Sequence, residues 1–576
     1  MMEKPDFSIE RWKKMKEREF NLIEEPWIRV MKEDLQVDTL SLRDTLFRCQ
    51  EYMDLGGENQ PQNFAMLRFL LALTYTVFSR VDEKGHENDI SEIADPDEAK
   101  GEIFRRWREL WNLGHFPREP FEEYFEKWHD RFWLFDPERP FWQVPSANGG
   151  TKYKVTKLIS DISESNNKIR IFASRSGEGA RCISFEEAAR NLLFVNGFDD
   201  TSGKKKSEEN DSKRTDSIGP GWLGKIGGIQ AVGNNLFKTL MLNMVFLKDG
   251  EELWEESALP SWEQPTLREK DRVIVPVPDN LPEILTLQSR RMILSRTEDG
   301  VTGFNLLGGD FYSKQDSGGI LKEQMTVWSE STNVGKKLFS PHKIRVGRQA
   351  WRDFGNCFVQ CHKENSKANR HMPGIVCWIR TLQACDLIPA DMPIQFRLIA
   401  LEYINRNFSI KDFGSDTLTI FPKLISTKYA VIQEEIEKEV AKCQEASTAL
   451  RQLIDDIKVA SGGDAEKSSS KSDKSDSLFY YAVDIPFRNW LLKIHGPVMD
   501  DKSAFRELID EWEKQAREIA LTIAAKEEEK ADLKSYVGKV VNDFAKSTKH
   551  LYSLPLADQL YKRKIYKIYP KVGDMQ

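Results

Sequence analysis

Residues 219–226 carry the residue types that could bind a phosphate. Their sequence, G-P-G-W-L-G-K-I, has the glycine and lysine spacing of the phosphate-binding loop of nucleotide hydrolases. The match fails at its last position, because Ile226 stands where a serine or threonine hydroxyl would coordinate magnesium. A charged segment, in place of a buried strand, precedes the glycines. A nucleotide-binding enzyme that uses this near-match is therefore an alternative, but the sequence does not favour it.

The same glycines have a second interpretation that involves no nucleotide. A turn-prone backbone with few side chains can approach another backbone or a groove closely. Lys225 and the basic run at residues 204–206 place positive charge beside it, as a nucleic-acid contact would require. Glycines that only interrupt a loop are the simpler alternative at this point.

Other patterns that could support catalysis or metal binding are weak. The chain has no H-E-x-x-H or G-x-S-x-G motif, and its eight histidines are scattered. One metal-like group, spaced C-x3-C-H-x8-H, matches no common zinc site, and buried thiols beside incidental histidines are favoured. The group consists of Cys357, Cys361, His362 and His371. We therefore predict no enzymatic activity, no cofactor and no metal.

Composition and charge exclude several classes of protein. The chain has 576 residues, 40% hydrophobic and 30% charged, as in ordinary soluble proteins with a real core. Because the net charge is −7, any nucleic-acid surface must be local. Seven cysteines, an odd number in a long chain, indicate reduced thiols. The charged first 20 residues do not resemble a secretory signal, and the apolar stretch 66–78 is too short for a membrane span, so we expect a cytoplasmic protein without a membrane partner.

Hydrophobic spacing predicts two domains after an N-terminal extension at residues 1–19. Residues 62–80 have helical spacing, a capping box at 184–187 begins another helix, and strand-like runs follow. These signals predict a large α+β domain with irregular loops over residues 20–415. Four amphipathic patterns then predict a C-terminal four-helix bundle over residues 416–576. The patterns span residues 432–457, 478–494, 505–523 and 533–544.

Five segments, in the same order along the chain, resemble the CasA family, the large subunits of the type I-E Cascade complex of CRISPR immunity. They are the opening strand at 21–28, an R-P-F-W-Q sequence at 139–143, the helix after the glycines at 232–243, an E-Q-M-T-V-W sequence at 323–328, and a strand with its loop at 400–409. The resemblance extends from residue 20 to the C-terminus, and the order of the segments and the two-domain layout carry it.

The resemblance implies a DNA-reading role for the glycine-rich segment. In that family the segment contacts the protospacer-adjacent motif from the minor-groove side. The corresponding residues here are Gly219, Gly221, Gly224 and Lys225. A lysine reaches the same groove in relatives, and its position aligns near Gln324, with Lys322 two residues away, so both residues stay open. Since the minor groove offers a degenerate pattern, this implies relaxed motif choice.

Two further sites follow from the resemblance. A wedge that holds the duplex open would be formed by Arg406, Asn407 and Phe408. The phenyl ring departs from the small residue expected there, but apolar side chains can unstack base steps. From the residues alone, this loop tip could equally pack on the bundle. A loop that docks onto the complex near the 5′ end of the guide RNA would include Phe172, Arg175 and Ser176.

The family resemblance also implies the function and the partners. It implies a non-catalytic subunit that recognises the motif in double-stranded target DNA, helps to open the duplex and recruits the CRISPR helicase-nuclease. The implied partners are a guide RNA and the other Cascade subunits CasB, CasC, CasD and CasE, with the bundle meeting CasB. Guide pairing would supply the remaining sequence specificity. A purely structural scaffold subunit is a further alternative.

Overall fold

The computed structural model describes residues 18–164, 173–201, 219–267, 274–312, 322–333, 336–359, 369–404, 409–463, 473–543 and 548–571. The chain forms two compact units. The first comprises Met1–Arg348, Gln360–Ile388 and Ile394–Thr417, and the second comprises Gln349–Val359, Pro389–Pro393 and Leu418–Gln576. Two short segments from within the expected α+β domain therefore belong to the second unit, and the last junction falls close to residue 415.

Helices and strands are numbered along the chain. The helices are α1 (Leu42–Arg48), α2 (Gln60–Arg80), α3 (Pro96–Leu113), α4 (Arg118–Trp128), α5 (Val155–Leu158), α6 (Phe185–Phe198), α7 (Trp222–Lys225), α8 (Leu236–Asn243), α9 (Leu281–Leu285), α10 (Phe354–Phe358), α11 (Gly374–Ala384), α12 (Ala430–Ala460), α13 (Asp473–Leu492), α14 (Pro497–Asp500), α15 (Lys502–Glu529), α16 (Lys534–Val537) and α17 (Leu554–Ile568). The strands are β1 (Glu19–Asn21), β2 (Ile28–Met31), β3 (Val37–Leu40), β4 (Asp54–Leu55), β5 (Trp133–Phe135), β6 (Thr151–Lys154), β7 (Gly228–Val232), β8 (Ile274–Val275), β9 (Arg290–Thr297), β10 (Gly300–Gly308), β11 (Phe311–Tyr312), β12 (Trp328–Asn333), β13 (Lys336–Pro341), β14 (Asn369–His371), β15 (Ile394–Ile404), β16 (Ser409–Ile420), β17 (Lys539–Asp543) and β18 (Thr548–Tyr552). Small sheets mixed with helices, followed by a helical C-terminal part, confirm the predicted fold class.

Helix α2 is buried on nearly all sides in the first unit. Asn59 caps it by accepting a hydrogen bond from a backbone N–H in the first turn. Phe69 packs against Phe141, Trp142 and Trp262, with ring centroids 5.5 to 6.1 Å apart. The tryptophan-rich stretch of the sequence thus contributes to the core. None of the helices in the described ranges combines the length and apolarity needed to cross a membrane.

Strands β7, β15 and β16 form the sheet that positions the candidate site. Strand β7 is antiparallel to β15, with Gly228 opposite Ile399 and Val232 opposite Gln395. Because the two strands run in opposite directions, residues 400–404 of β15 extend beyond the beginning of β7. The end of β15 and the start of β16 therefore lie at the edge of the sheet where the glycine-rich segment enters β7.

The long helices α12, α13, α15 and α17 form most of the second unit. Phe487, Trp490 and Trp512 pack in its core with ring centroids 5.2 to 5.6 Å apart. Trp351, from the segment Gln349–Val359, stacks on Phe487 at 4.3 Å. This stacked ring anchors the inserted segment to the bundle.

The prediction of a helix at residues 533–544 is wrong. Only the single turn α16 forms there, and strand β17 follows it and pairs with β18. Gly538 separates the two elements with φ +81° and ψ 178°, a conformation that favours glycine and cannot continue the helical turn. The fourth long helix of the bundle is α17, which begins ten residues beyond the expected pattern at Leu554.

A buried carboxyl group in helix α12 has a shifted ionisation. The side chain of Glu439 is 1% exposed, and its Oε1 pairs with Lys442 at 2.7 Å. Its other oxygen, Oε2, has no hydrogen-bond partner in the described part of the chain. Burial raises the pKa of Glu439 to about 7, because its effect exceeds that of Lys442, and the nearby Glu513 acts in the same direction. The native state thus disfavours the charged form of this group.

We predict that the stability of Glu439→Gln, relative to that of the wild type, is greater at pH 8 than at pH 5. Between the ordinary pKa near 4.5 and the native pKa of about 7, the native state holds a proton that the unfolded state has lost. Stability of the wild type therefore falls as pH rises through this window, by on the order of 2–3 kcal/mol, and levels off above it. Thermal unfolding at a series of pH values measures this difference.

The exposed neighbour Glu434 supplies the matched control. Glu434→Gln should follow the wild-type pH profile. A Glu439→Gln profile that is parallel to the wild type from pH 5 to pH 8 would contradict the shifted pKa.

Candidate nucleic-acid interface

Residues 219–227, here called the glycine loop, lead directly into strand β7. Gly219 has φ +83°, in the left-handed region that favours glycine. Gly221 donates its N–H to the carbonyl of Asp199 at 2.8 Å. A Cβ on Gly221 would overlap the carbonyl of Gly197, near the end of α6. Only glycine permits this close approach between the loop and the helix.

Gly224 makes a similar approach to strand β15. A Cβ on Gly224 would overlap the hydroxyl of Tyr403. That hydroxyl donates to the carbonyl of Phe198 at 2.7 Å. The glycine loop therefore lies between the end of α6 and the end of β15.

Burial separates the predicted contact residues of the loop into two pairs. Gly221 and Gly224 are buried, whereas Gly219 and Lys225 are half-buried. The ammonium of Lys225 lies 4.0 Å from the ring centroid of Phe311, a cation–π contact. The inner glycines thus serve close packing, and the surface that the loop exposes comes from Gly219 and Lys225. The nucleotide-binding alternative gains no support from this packing.

A buried carboxylate joins the glycine loop to the segment around residue 323. Glu323 accepts two hydrogen bonds from Arg68, at 2.8 and 2.9 Å, and one from the indole of Trp222 at 3.0 Å. Burial opposes the ionisation of Glu323, but Arg68 and Trp222 hold its pKa below its usual value. Residues 322–326 consequently lie beside the loop.

The two candidates for the minor-groove side chain differ in exposure. Gln324 is fully buried; its amide accepts from the N–H of Asp249 at 2.8 Å and donates to the carbonyl of Lys322 at 3.0 Å. The side chain of Lys322 is 25% exposed, and its ammonium pairs with Asp279 at 2.8 Å. Asp279 also accepts from Lys248. Gln324 has no accessible surface for DNA, so Lys322 is the candidate that the geometry leaves.

The predicted wedge residues Arg406, Asn407 and Phe408 lie outside the described residues. The strands on either side, β15 and β16, are described. Tyr403, near the end of β15, contacts the glycine loop through Gly224. The described part of β15 thus ends next to the glycine loop.

Sequence reasoning missed a basic segment beside the loop. A Cβ on Gly227 would lie 2.7 Å from the carbonyl oxygen of His342 and 2.9 Å from the backbone nitrogen of Ile344. On either side of Ile344, Lys343 and Arg345 are exposed. Alternation of basic residues around a buried isoleucine was the available signal, since alternate residues of an extended segment face opposite sides.

Two of the docking-loop residues, Arg175 and Ser176, lie on an exposed segment before helix α6. Phe172 is outside the described residues, and Ser176 is exposed. Arg175 pairs with Glu187 of α6 at 2.7 Å. The predicted capping box does not form, because the Ser184 side chain makes no capping hydrogen bond, and Glu187 instead tethers this segment to the first turn of α6.

The metal-like group is only partly described. Cys361 and His362 lie outside the described residues. Cys357 is buried, which raises the pKa of its thiol well above its usual value. His371 contacts Glu330 at 3.3 Å. Among the described residues, no cluster of three metal-ligating side chains occurs.

Comparison with known proteins identifies the family. Residues 21–523 match the sequence model of CRISPR-associated protein Cse1. The CasA/Cse1 protein of Thermus thermophilus is 23% identical over 478 residues, which cover 81% of this chain and 83% of that protein. The family match spans most of the chain and places it among the CRISPR-associated proteins. Within that class, the chain belongs to the Cse1 family, also named CasA, which confirms the resemblance found in the sequence.

Solved structures share the fold. Cse1 of Thermobifida fusca superposes with a TM-score of 0.76 at 24% identity, covering 96% of this chain and 98% of that chain. A chain of a CRISPR RNA-guided surveillance complex superposes with a TM-score of 0.61 at 16% identity, covering 95% and 99%. At these identities the likeness concerns the fold alone.

We predict that Gly224→Ala destabilises the protein by about 1–3 kcal/mol, because the added methyl group overlaps the Tyr403 hydroxyl. Tyr403→Phe removes that hydroxyl and one hydrogen bond, at about 1 kcal/mol. The double variant should lose less than the sum of the two single losses, by about 1 kcal/mol. Urea unfolding of all four proteins measures this coupling.

Gly179→Ala is the matched control, because a Cβ there meets open space. Its stability should stay within about 0.5 kcal/mol of the wild type. Additive losses in the double variant would show that Gly224 and Tyr403 do not contact each other.

Proposed function

We propose that this chain is the subunit of an RNA-guided CRISPR Cascade complex that recognises the protospacer-adjacent motif in double-stranded DNA and helps to open the duplex. The observation that carries the proposal is the placement of the glycine loop and of both strands that flank residues 405–408 at one edge of the β7–β15–β16 sheet. A duplex held against this edge would meet the loop first and the proposed wedge beside it.

The glycine loop would lie along the minor groove. Gly219 lacks a side chain where the loop is accessible, so backbone can approach the floor of the groove. Lys322, next to Glu323 and partly exposed, would exchange its contact with Asp279 for an acceptor on the DNA. Acceptors in the minor groove differ little between A·T and T·A pairs, and this contact would tolerate several motif sequences.

Local charge supports DNA binding on a chain of net charge −7. Lys343 and Arg345 are exposed on the segment that packs on Gly227. Together with Lys225 and Lys322 they supply cations near the loop. Phosphate contacts of this kind release counterions and need only a local basic surface.

Residues 406–408 would act as the wedge. Asn407 and Phe408 follow β15 at the edge that the loop shares, and a phenyl ring inserted at a base step can unstack it. Separation of the strands at this point would expose the target strand to the guide RNA, which reads the remaining sequence by base pairing. The role requires binding and positioning, with no chemical step on this chain.

The remaining surfaces would connect the chain to its partners. The exposed segment with Arg175 and Ser176 would dock near the 5′ end of the guide RNA, and the helical unit would meet CasB. CasC, CasD and CasE would complete the complex in the cytoplasm, and the opened target would recruit the helicase-nuclease. A relative of the same fold is a chain of a CRISPR RNA-guided surveillance complex, which supports this assembly.

We predict that Lys322→Ala weakens binding of motif-bearing duplex by the assembled complex about tenfold at 0.1 M salt, or about 1.4 kcal/mol. Loss of one cation should also lower the slope of log K against log salt by about 0.9. Mobility-shift titrations at four salt concentrations give both quantities.

Lys84→Ala is the control for a lost surface charge. Lys84 is exposed and follows the C-terminal end of α2, whereas Phe64 in the first turns of α2 packs on Gly228 beside the loop. About 24 Å of helix, from Phe64 to Arg80, lies between the contact with Gly228 and the end of α2 that precedes Lys84. Equal salt slopes for the wild type and Lys322→Ala would contradict a DNA contact by Lys322.

We predict that the double variant Asn407→Ala/Phe408→Ala captures duplex within about threefold of the wild type but opens it poorly, because the apolar group that unstacks the bases is lost. Permanganate footprinting should then show at least fivefold lower thymine reactivity next to the motif. Glu402→Ala/Lys411→Ala removes an exposed ion pair of the same hairpin, 2.8 Å long, and should open DNA normally. Unchanged thymine reactivity in the wedge variant argues against the wedge.

A structural scaffold is the remaining alternative function. Under that alternative, a complex assembled without this chain would still discriminate motif-bearing from motif-free duplex. The proposal requires discrimination to disappear with the chain and to return when it is added back.

A further inference from the structure

Among the described residues, two basic and two acidic side chains pair beneath the glycine loop. Lys157 pairs with Asp199 at 3.0 Å and with Asp200 at 2.7 Å. Arg290 pairs with Asp199 at 2.5 Å. Each of the four side chains is at most 1% exposed. Buried charges are stable only when they are paired and hydrogen-bonded, so each of these side chains needs its partners.

Arg290 also binds the backbone at both ends of the segment that precedes the loop. Its Nη2 donates to the carbonyl of Gly219 at 2.9 Å and to the carbonyl of Asp200 at 3.0 Å. Its Nη1 donates to the carbonyl of Ser289 at 2.8 Å. The planar guanidinium fixes the directions of these bonds, which an ammonium group cannot do.

The Gly219 carbonyl, which accepts a hydrogen bond from Arg290, belongs to the first residue of the glycine loop. Gly219 has a left-handed conformation, so its peptide plane depends on this bond as well as on its neighbours. Arg290 and Lys225 also share Phe311, whose ring centroid lies 5.7 Å from the guanidinium carbon and 4.0 Å from the ammonium. One guanidinium therefore contacts the start of the loop and the ring on which Lys225 rests.

Lys157 differs from Arg290 in the groups that it contacts. It belongs to the same cluster and is equally buried; it donates a hydrogen bond to the carboxylate of Asp200 and forms an ion pair with that of Asp199. Loss of Lys157 would remove a cation from beside buried carboxylates, as loss of Arg290 would. Arg290, by contrast, bonds directly to the backbone of the loop.

We propose that Arg290 is a positioning residue for DNA recognition: it fixes the conformation of the glycine loop without contacting DNA. The inference rests on the proposed function of the loop. Under this inference, motif discrimination depends on the Arg290 side chain, which is 1% exposed and cannot reach a groove. Arg290 would act before DNA arrives, by holding the loop in the shape that fits it.

The test compares Arg290→Met, Arg290→Lys and Lys157→Met in the full-length chain. Amide hydrogen exchange at Gly221 and Trp222 reports the loop conformation, because these N–H groups donate to Asp199 and to the Ser289 hydroxyl. We expect exchange at least tenfold faster in both Arg290 variants and within threefold of the wild type in Lys157→Met. Thermal unfolding confirms that each variant is folded at the temperature used.

The second readout is the ratio of affinities for motif-bearing and motif-free duplex in the assembled complex. We expect this ratio to fall at least tenfold in both Arg290 variants and to change less than twofold in Lys157→Met. Arg290→Lys keeps the positive charge but loses the planar guanidinium. A wild-type ratio of affinities in that variant therefore overturns the positioning role.

The outcomes separate this inference from the proposed function. An equal increase of amide exchange in the loop in Arg290→Met and Lys157→Met overturns the inference, because the cluster then has only a structural role. Faster exchange confined to the Arg290 variants, with unchanged discrimination, supports positioning of the loop and overturns its role in reading DNA.

Discussion

The ion pair between Arg68 and Glu323 connects the core of the first unit to its candidate DNA surface. Arg68 lies on the buried helix α2, and both side chains are 2% exposed. Their bidentate geometry, completed by the Trp222 indole, supplies the hydrogen bonds that a buried carboxylate requires. Since Trp222 belongs to the glycine loop and Glu323 adjoins Lys322, one buried interaction sets the positions of both. Removal of either partner would leave an uncompensated charge in the core.

Helix α6 links the proposed docking and recognition surfaces. Glu187 in its first turn holds Arg175, and Gly197 in its last turn packs against the glycine loop. Fourteen helical residues span about 21 Å, a length that a hydrogen-bonded helix holds nearly constant. A rigid spacer of this kind would keep the motif-reading loop at a set distance from the guide-RNA end of the complex under the proposed function.

Sequence patterns predicted the fold class, most of helix α2, the start of α6 and the family. They failed at residues 533–544, where Gly538, whose φ is positive, divides the pattern into a helical turn and a strand. They also missed Lys343 and Arg345, because the segment that carries them reaches the glycine loop through tertiary packing on Gly227. Long periodic segments are predictable because their own spacing selects the structure, whereas contacts between distant segments depend on how the elements pack.

The amino-acid sequence determined the local chemistry: a glycine-rich loop without the hydroxyl that magnesium needs, a cation at position 322, and an ordered set of segments that identified the family. Tertiary structure decided which of these groups can meet a ligand. Gly224 and Gln324 look available in the sequence, yet Tyr403 covers the first, and the second is buried, its amide bonded to the Asp249 backbone. Exposure is a property of the whole packed unit, since residues far apart in sequence remove the solvent from each site.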